Sequence, residues 1–229
     1  MGIDHRFLQE NMMGPNAWIL AEELTSNLPI KKGMRILDLG CGRGISSIFL
    51  AKKYEAEVFA VDLWISATEN FARFQQMGVA QQTVPLQFDA RQLPFAQSFF
   101  DAVVSIDSYH YFGNNNTYFE KILRPILKKG AVVSLAFPGM KNEIHKNIPE
   151  EMKPLWDEDA LQMWHSIDWW KPKFEAHLED FNICEMDCFS RAWDDWLACD
   201  NPYASEDRLM IEADNGRFMN LIKLTGTIR

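Results

Sequence analysis

Short apolar runs alternate with helical stretches from Met34 to Phe137, and that alternation constrains the fold more than any other feature of the chain. Met34–Leu39 (MRILDL), Glu57–Leu63 (EVFAVDL), Val84–Phe88, Phe100–Ile106 (FDAVVSI) and Ala131–Phe137 (AVVSLAF) are almost continuously aliphatic or aromatic. Runs of this length suit strands buried on both faces of a parallel sheet. Between them, Ile45–Tyr54, Ser66–Met77 and Thr117–Leu127 carry apolar residues at helical spacing. Strand–helix–strand repetition implies right-handed crossovers and an open α/β sheet with helices on both faces. Further on, Phe174–Phe181, Ile183–Phe189 and Phe218–Ile228 read as a helix, a strand and a final strand, the last two an antiparallel pair completing the sheet. Gly139–Lys171, with Trp156, Trp164, Trp169 and Trp170, and Arg191–Gly216, with Trp193 and Trp196, interrupt this order. Neither is long enough for its own core, so both read as inserts in a single domain of 229 residues.

The first strand runs into Asp38-Leu39-Gly40-Cys41-Gly42-Arg43-Gly44-Ile45. Glycines at a strand-to-helix turn let the backbone bend tightly and let a ligand approach without a Cβ clash. The N–H groups opening the next helix then face that ligand. The spacing here is D-x-G-x-G-x-G; a dinucleotide fingerprint needs a glycine where Ile45 stands. A glycine loop alone is also what a tight turn requires. Its acidic partners strengthen the ligand reading. Asp62 ends the second run, Asp89 and Ala90 follow the third, and Asp107-Ser108 follow the fourth. With Asp38, four acids are placed at the carboxyl ends of successive strands, the edge where an open α/β sheet forms its ligand crevice.

Charge and composition exclude several partners. With 23 basic and 32 acidic side chains the formal charge is −9, which disfavours nonspecific binding to nucleic acid or anionic lipid. Hydrophobic residues at 47% and charged residues at 24% are globular in proportion. No apolar run approaches the roughly 18–20 residues of a membrane helix, and Met1–Arg6 has none of the marks of a signal peptide. A cytoplasmic protein without integral membrane association is therefore expected. Cys184 and Cys188 are placed on one strand, Cys199 stands alone, and no Cys-x-x-Cys occurs. His5, His110, His145, His165 and His177 show no metal-ligand spacing, so no metal is expected.

The constellation from residue 30 to 138 resembles the class I S-adenosylmethionine-dependent methyltransferases. Ile36–Gly44 is similar to their first motif, Asp62 to the acid that holds the cofactor ribose, and Phe88-Asp89-Ala90 to the stretch that reads adenine. Leu93-Pro94-Phe95 through Val103, and Pro125–Ala131 with Gly130 kept and Ala131 in place of a second glycine, resemble later family segments. Within the class the chain resembles the small-molecule group related to ubiquinone/menaquinone methyltransferases and cyclopropane fatty-acid synthases. The resemblance implies a Rossmann-like seven-stranded sheet, mostly parallel with an antiparallel last strand, and helices on both faces. It implies a helical cover at 1–30, a cofactor-binding core at 30–138, and inserts at 139–171 and 191–216 covering the substrate cleft. It also implies S-adenosyl-L-methionine as methyl donor, S-adenosyl-L-homocysteine as product, and Asp38, Gly40, Cys41, Gly42, Gly44, Asp62, Leu63, Asp89, Ala90, Asp107 and Ser108 around the cofactor.

A sulfonium cation suits a pocket rimmed with carboxylates better than a pyrophosphate does. Methyl transfer is a single displacement whose demands are positioning, exclusion of water, and a base where the nucleophile arrives protonated. His110 and Tyr109 follow the fourth strand, where a base or an orienting hydroxyl would stand; His110 reads otherwise as a histidine packed under the insert, and Tyr109 equally as pocket wall. Trp18, Tyr111, Trp164, Trp169 and Trp170 are the candidate substrate-pocket residues. They read either as anchors of the inserts or as an aromatic cage for an amine. No Asn/Asp-Pro-Pro-Tyr motif follows the fourth strand, and Asn201-Pro202-Tyr203 reads as a turn, which argues against a nucleic-acid substrate. The expected acceptor is a small amine, quinone or lipid-like molecule. A cofactor-sensing protein without catalysis and a nicotinamide-dependent oxidoreductase are the alternatives. A monomer or homodimer is expected.

Overall fold

The computed structural model describes residues 2–156 and 158–229. Seven strands form one sheet: β1 (Arg35–Leu39), β2 (Glu57–Asp62), β3 (Thr83–Gln87), β4 (Phe100–Ile106), β5 (Leu127–Met140), β6 (Leu178–Glu185) and β7 (Met219–Ile228). Their order is β3-β2-β1-β4-β5-β7-β6. The first five pair in parallel, and β7 runs antiparallel to both of its neighbours. The order reverses between β1 and β4, where a crevice opens beyond the carboxyl ends of the strands.

Period-two alternation divides the central strands between two apolar layers. Ile36, Val58, Ala60, Ala102, Val104 and Ile106 face one layer; Leu37, Leu39, Val61 and Val103 face the other. Both faces are covered, so these strands read as unbroken apolar runs. Each fully buried aliphatic side chain contributes about 1.5–3 kcal/mol. The first layer is covered by α1 (His5–Asn11), α2 (Ala17–Leu24) and α3 (Ile45–Tyr54), and by α8 (Phe189–Leu197) and α9 (Pro202–Asp214). The second packs under α5 (His110–Gly113), the turns at 119–126, and α7 (Ile167–Trp170). The remaining helices are α4 (Ala67–Gln76) and α6 (Glu158–Met163).

Helix starts follow their capping chemistry. Asp4 accepts from the Phe7 N–H, Asn16 from Trp18 and Ile19, and Ser66 with Glu69 forms a reciprocal capping box. The Asn16 amide also donates to the Asp195 carboxylate at 2.6 Å, fastening the N-terminal helices to α8.

Four expectations are corrected. Phe174–Phe181 is not a helix: after a turn of 3-10 helix at Lys171–Lys173, the chain enters β6 at Leu178. Phe174, Leu178 and Phe181 do sit at helical spacing, but the edge beside β7 captures the segment, with a register shift between Glu179 and Asn182. The strand therefore ends at Glu185, and Cys188 is the buried residue that begins α8 rather than a strand partner of Cys184. The helix expected over Thr117–Leu127 reduces to a π turn at Phe119–Leu123 and a 3-10 turn at Arg124–Ile126, since Pro125 lacks the N–H a helix needs. Asn201-Pro202-Tyr203 is not a turn but the start of α9: the Asn201 side chain accepts from the Tyr203 N–H, and proline occupies the first helical turn. No helix among the described residues is long and apolar enough to cross a membrane.

Candidate active site

Three adjoining cavities lie at the switch point. The first is lined by the β1–α3 loop (Gly40–Arg43), the 12–15 segment, Asp62, Asp107 and Ser108. Gly40 has φ +74°, and a Cβ there would stand 1.7 Å from Ser108 Oγ. Only glycine lets the loop pass beneath the end of β4. The N–H groups of Gly40 and Cys41 both donate to the Val61 carbonyl, at 2.8 and 3.0 Å, which locks the loop to β2.

Asp62, the last residue of β2, organises this floor. Its Oδ1 accepts from the Trp64 and Ile65 N–H groups at 2.8 and 2.9 Å, and its Oδ2 from the Gly42 N–H at 2.8 Å. A carboxylate has roughly four acceptor sites, so one stays open on Oδ2 for a ligand hydroxyl. Asp38 plays a different part. It is fully buried, lines none of the three cavities, and accepts the Ser46 and Ser47 hydroxyls at 2.6 Å each, bracing the start of α3. Burial pushes its carboxyl up to about 6, with the two serine bonds opposing and Asp62 adding. Gly44 caps α3 behind the loop.

The second cavity, about 200 Å³, is an apolar slot between Leu63, Phe88, Ala90 and Phe112 with Asp89 at its rim. The Asp89 carboxylate accepts from the Arg91 N–H at 2.8 Å and stands 3.5 Å from the Arg91 guanidinium. A flat apolar slot with acceptor and amide at one edge suits a purine ring. Trp64 and Tyr111 line both this slot and the first cavity, edge to face with ring centres 5.7 Å apart. The glycine floor, the open Asp62 oxygen and this slot fit an adenosine-bearing ligand, with Asp107 beyond the ribose side.

The third cavity, about 450 Å³, opens beside the 12–15 segment and shares Asp107 and Tyr111 with the first. Four carboxylates line it, from Asp107, Asp159, Glu206 and Asp207, together with Trp164, Trp193 and His110; among the described residues no lysine or arginine does. Burial pushes Asp107 up to about 8, with Asp207 adding to the shift. Gly14 presses on it: a Cβ there would lie 2.3 Å from Asp107 Oδ2. Burial also raises Asp207, only partly opposed by the Trp196 indole N–H that donates to it at 2.7 Å.

The catalytic and pocket candidates fall in several places. Tyr109 is fully buried among Phe112, Tyr118, Phe137, Trp170 and Phe174 and lines none of the three cavities, so it is core. Trp170 is equally buried, and Trp18 packs edge-on to Phe49. Trp169 stacks flat on His165 at 3.6 Å; none of these tryptophans lines the three cavities. Trp164 and Tyr111 do. His110 lines the third cavity, but burial lowers it to about 3, so it is neutral and a poor base. Within the N-terminal cover that the resemblance implies at 1–30, Met12, Met13, Gly14 and Pro15 line the first cavity, and the last three the third as well; sequence reading missed Trp64, Asp159, Glu206 and Asp207. The acids of α9 are a run of polar residues until the helix is docked. It also missed a set of potential metal ligands, since Glu143, His145 and His165 meet only through the fold.

Asp107 sets a pH signature. A carboxyl raised in the folded state binds its proton more tightly there than in the unfolded chain, so its contribution favours folding at low pH and is lost as pH rises through about 8. Thermal melts of wild type and Asp107→Asn should nearly coincide at or below about pH 4 and separate progressively up to pH 8, with the variant the more stable. A gap that does not change with pH would refute the assignment.

The family description "Methyltransferase domain" matches residues 36–130. Among curated relatives, the chain is 28% identical over 118 residues to the O-methyltransferase resE of Aspergillus sclerotiorum, covering 51% of this chain and 44% of that one. It is 29% identical over 124 residues to the cyclopropane-fatty-acyl-phospholipid synthase of Escherichia coli, covering 53% and 31%. The chain thus spans less than half the length of either. Among solved structures, phosphoethanolamine N-methyltransferase 2 of Haemonchus contortus, bound to S-adenosyl-L-methionine, superposes with a TM-score of 0.75 at 19% identity, over 98% of this chain and 56% of that one. Residues 36–130, which carry the motifs, are thus similar to the methyltransferase-domain family, and the chain shares the fold of the methyltransferase structure on which it superposes.

Proposed function

We propose that the chain transfers a methyl group from S-adenosylmethionine to the nitrogen of a small cationic amine. The observation that carries the acceptor class is the third cavity: four carboxylates, two indoles and, among the described residues, no basic side chain other than the neutral His110. Ammonium groups are held by carboxylates and by aromatic faces, whereas phosphate-bearing acceptors would meet only like charge. Gly40, Gly42, Asp62 and Ser108 would hold the ribose and amino-acid portions of the donor, and Leu63, Asp89 and Ala90 its adenine. The bound donor supplies an electrophilic methyl carbon on a sulfonium. Asp107, shared between the donor and acceptor cavities, would take the ammonium proton and free the nitrogen lone pair. Its carboxyl near 8 matches that task at neutral pH far better than His110 at about 3. Gly14, Tyr111 and Trp164 would exclude water. An open third cavity of about 450 Å³ supports turnover over a cofactor-sensing role.

Transfer of labelled methyl from S-adenosylmethionine to a panel of primary and secondary amines, quinols, phosphoamines and phospholipids tests this reading. Amines alone should be labelled, faster as pH rises from 6 to 8. Labelling of a quinol or a phosphate-bearing acceptor in place of amines would overturn the acceptor class, and no binding of S-adenosylhomocysteine would overturn the donor.

A further inference from the structure

Away from the three cavities, Glu143, His145 and His165 converge at the base of the segment that carries α6 and Trp164. His145 Nδ1 and His165 Nδ1 lie 2.9 and 3.2 Å from the same oxygen, Glu143 Oε2. Their other ring nitrogens face carbonyls: His145 Nε2 is 3.1 Å from the Trp164 oxygen and His165 Nε2 3.2 Å from the Gln162 oxygen. On each ring, then, both nitrogens face an acceptor. A neutral imidazole carries one N–H, and a carbonyl oxygen can only accept. With Nε2–H given to the carbonyls, two imidazole lone pairs face the same carboxylate oxygen.

Two things relieve that conflict: a proton on each Nδ1, or one cation shared by all three. Two protons would set two imidazolium rings side by side with centres 4.7 Å apart. One cation needs less. Nε2–H to a backbone carbonyl is the outer contact that metal-binding histidines usually make, because it fixes the ring and its tautomer. Glu143 is oriented in the same way, since its Oε1 accepts the Ser166 N–H at 2.5 Å. His165 is fixed further by its flat stack on Trp169, whose ring also takes Lys173 Nζ at 3.8 Å. One ligand atom from each of the three residues lies within 4.8 Å of the others. Zinc bonds of ~2.0–2.2 Å put tetrahedral ligands about 3.3–3.5 Å apart, so the ion is seated by Glu143 Oε2 moving outward from the two Nδ1 atoms, 2.9 and 3.2 Å away, as the two rings adjust about it. Glu143 is exposed, which leaves the fourth position to solvent.

We infer that Glu143, His145 and His165 bind one borderline divalent cation of the Zn²⁺ type, with two imidazole nitrogens and one carboxylate oxygen as ligands. The ion closes the 143–166 segment at its base: Glu143 and His145 lie just past β5, His165 lies beyond α6, and the Met140 N–H already donates to the His165 carbonyl at 3.1 Å. Trp164 and α6 wall the third cavity, so the ion would stiffen that wall. This inference does not depend on which acceptor the cavity takes.

Zinc titration of the chelator-stripped full chain by calorimetry, with Co²⁺ absorption as the coordination signature, tests it. One equivalent should bind, give visible bands typical of four-coordinate Co²⁺, and raise the melting temperature. Glu143→Gln and His145→Gln should each weaken binding at least 100-fold and remove the thermal shift. His145→Gln spares the His165–Trp169 stack, and melting without metal shows whether each variant is folded. His5→Ala, at an exposed histidine elsewhere, should bind like wild type. Absence of saturable binding to the wild type, or wild-type affinity in both ligand variants, would overturn the site.

Discussion

Gly40→Ala should abolish cofactor binding while leaving the sheet folded. The residue has φ +74°, where a Cβ costs on the order of 1–2 kcal/mol. The greater obstacle is steric, because the new Cβ would lie 1.7 Å from Ser108 Oγ and 2.4 Å from Ser108 Cβ. Ser108 follows the end of β4, so either it moves outward or the loop drops, and both alter the first two cavities. The Gly40 and Cys41 bonds to the Val61 carbonyl oppose relief by the loop. Affinity for S-adenosylhomocysteine should fall at least ~100-fold, equivalent to about 2.7 kcal/mol. Ser108→Gly in the same chain removes the clashing atoms, and the nearest remaining Ser108 atom, its Cα, would stand 3.8 Å away. That double variant should recover part of the affinity. Binding by Gly40→Ala within twofold of wild type, measured by calorimetry, would refute the role of this close approach.

The parallel half of the fold is legible in the sequence because its determinants are local. Strands buried on both faces carry their own pattern, and β4 at Phe100–Ile106 and α3 at Ile45–Tyr54 stand where the periodicity places them. The loop from Asp38 to Gly44 and the acid at Asp62 are equally visible, since a tight turn and its neighbour must come from particular residue types. Legibility fails where a long-range partner decides. Phe174–Phe181 has a helical pattern, yet the unpaired edge of β7 turns its second half into a strand. Chemistry assembled across elements is hidden for the same reason. Asp107 gains its raised pKa from burial, with Gly14 pressed against it and Asp207 adding charge, and both stand far from it in the chain. His145 meets His165 only when β5 and α6 are in place. Tyr109 and His110 show the converse. They follow the right strand, but the chain turns into α5 and directs Tyr109 into the core and His110 into a buried position in the wall of the third cavity.

Asp62→Ala should damage both the loop and the cofactor site, and the two effects separate in the laboratory. The substitution removes the acceptor from three backbone N–H groups, those of Gly42, Trp64 and Ile65. A buried donor left alone costs roughly 1–3 kcal/mol, and these lie beside an open cleft where water takes up part of the loss. A total of about 2–3 kcal/mol is expected, or about 4–12 °C in the melting temperature of a chain this size. Losing a charged acceptor for a ribose hydroxyl removes a further ~1.5–3 kcal/mol of binding, which is about 10- to 150-fold in affinity. Asp62→Asn is informative because it is not neutral. Whichever way the amide turns, its NH₂ group faces at least one backbone N–H, so a donor meets a donor. The variant should therefore melt between wild type and Asp62→Ala. S-Adenosylhomocysteine should raise the melting temperature of wild type by several degrees and that of Asp62→Ala hardly at all. If the ligand protects both equally, the open Oδ2 site does not contact the cofactor, and Asp62 serves the loop alone.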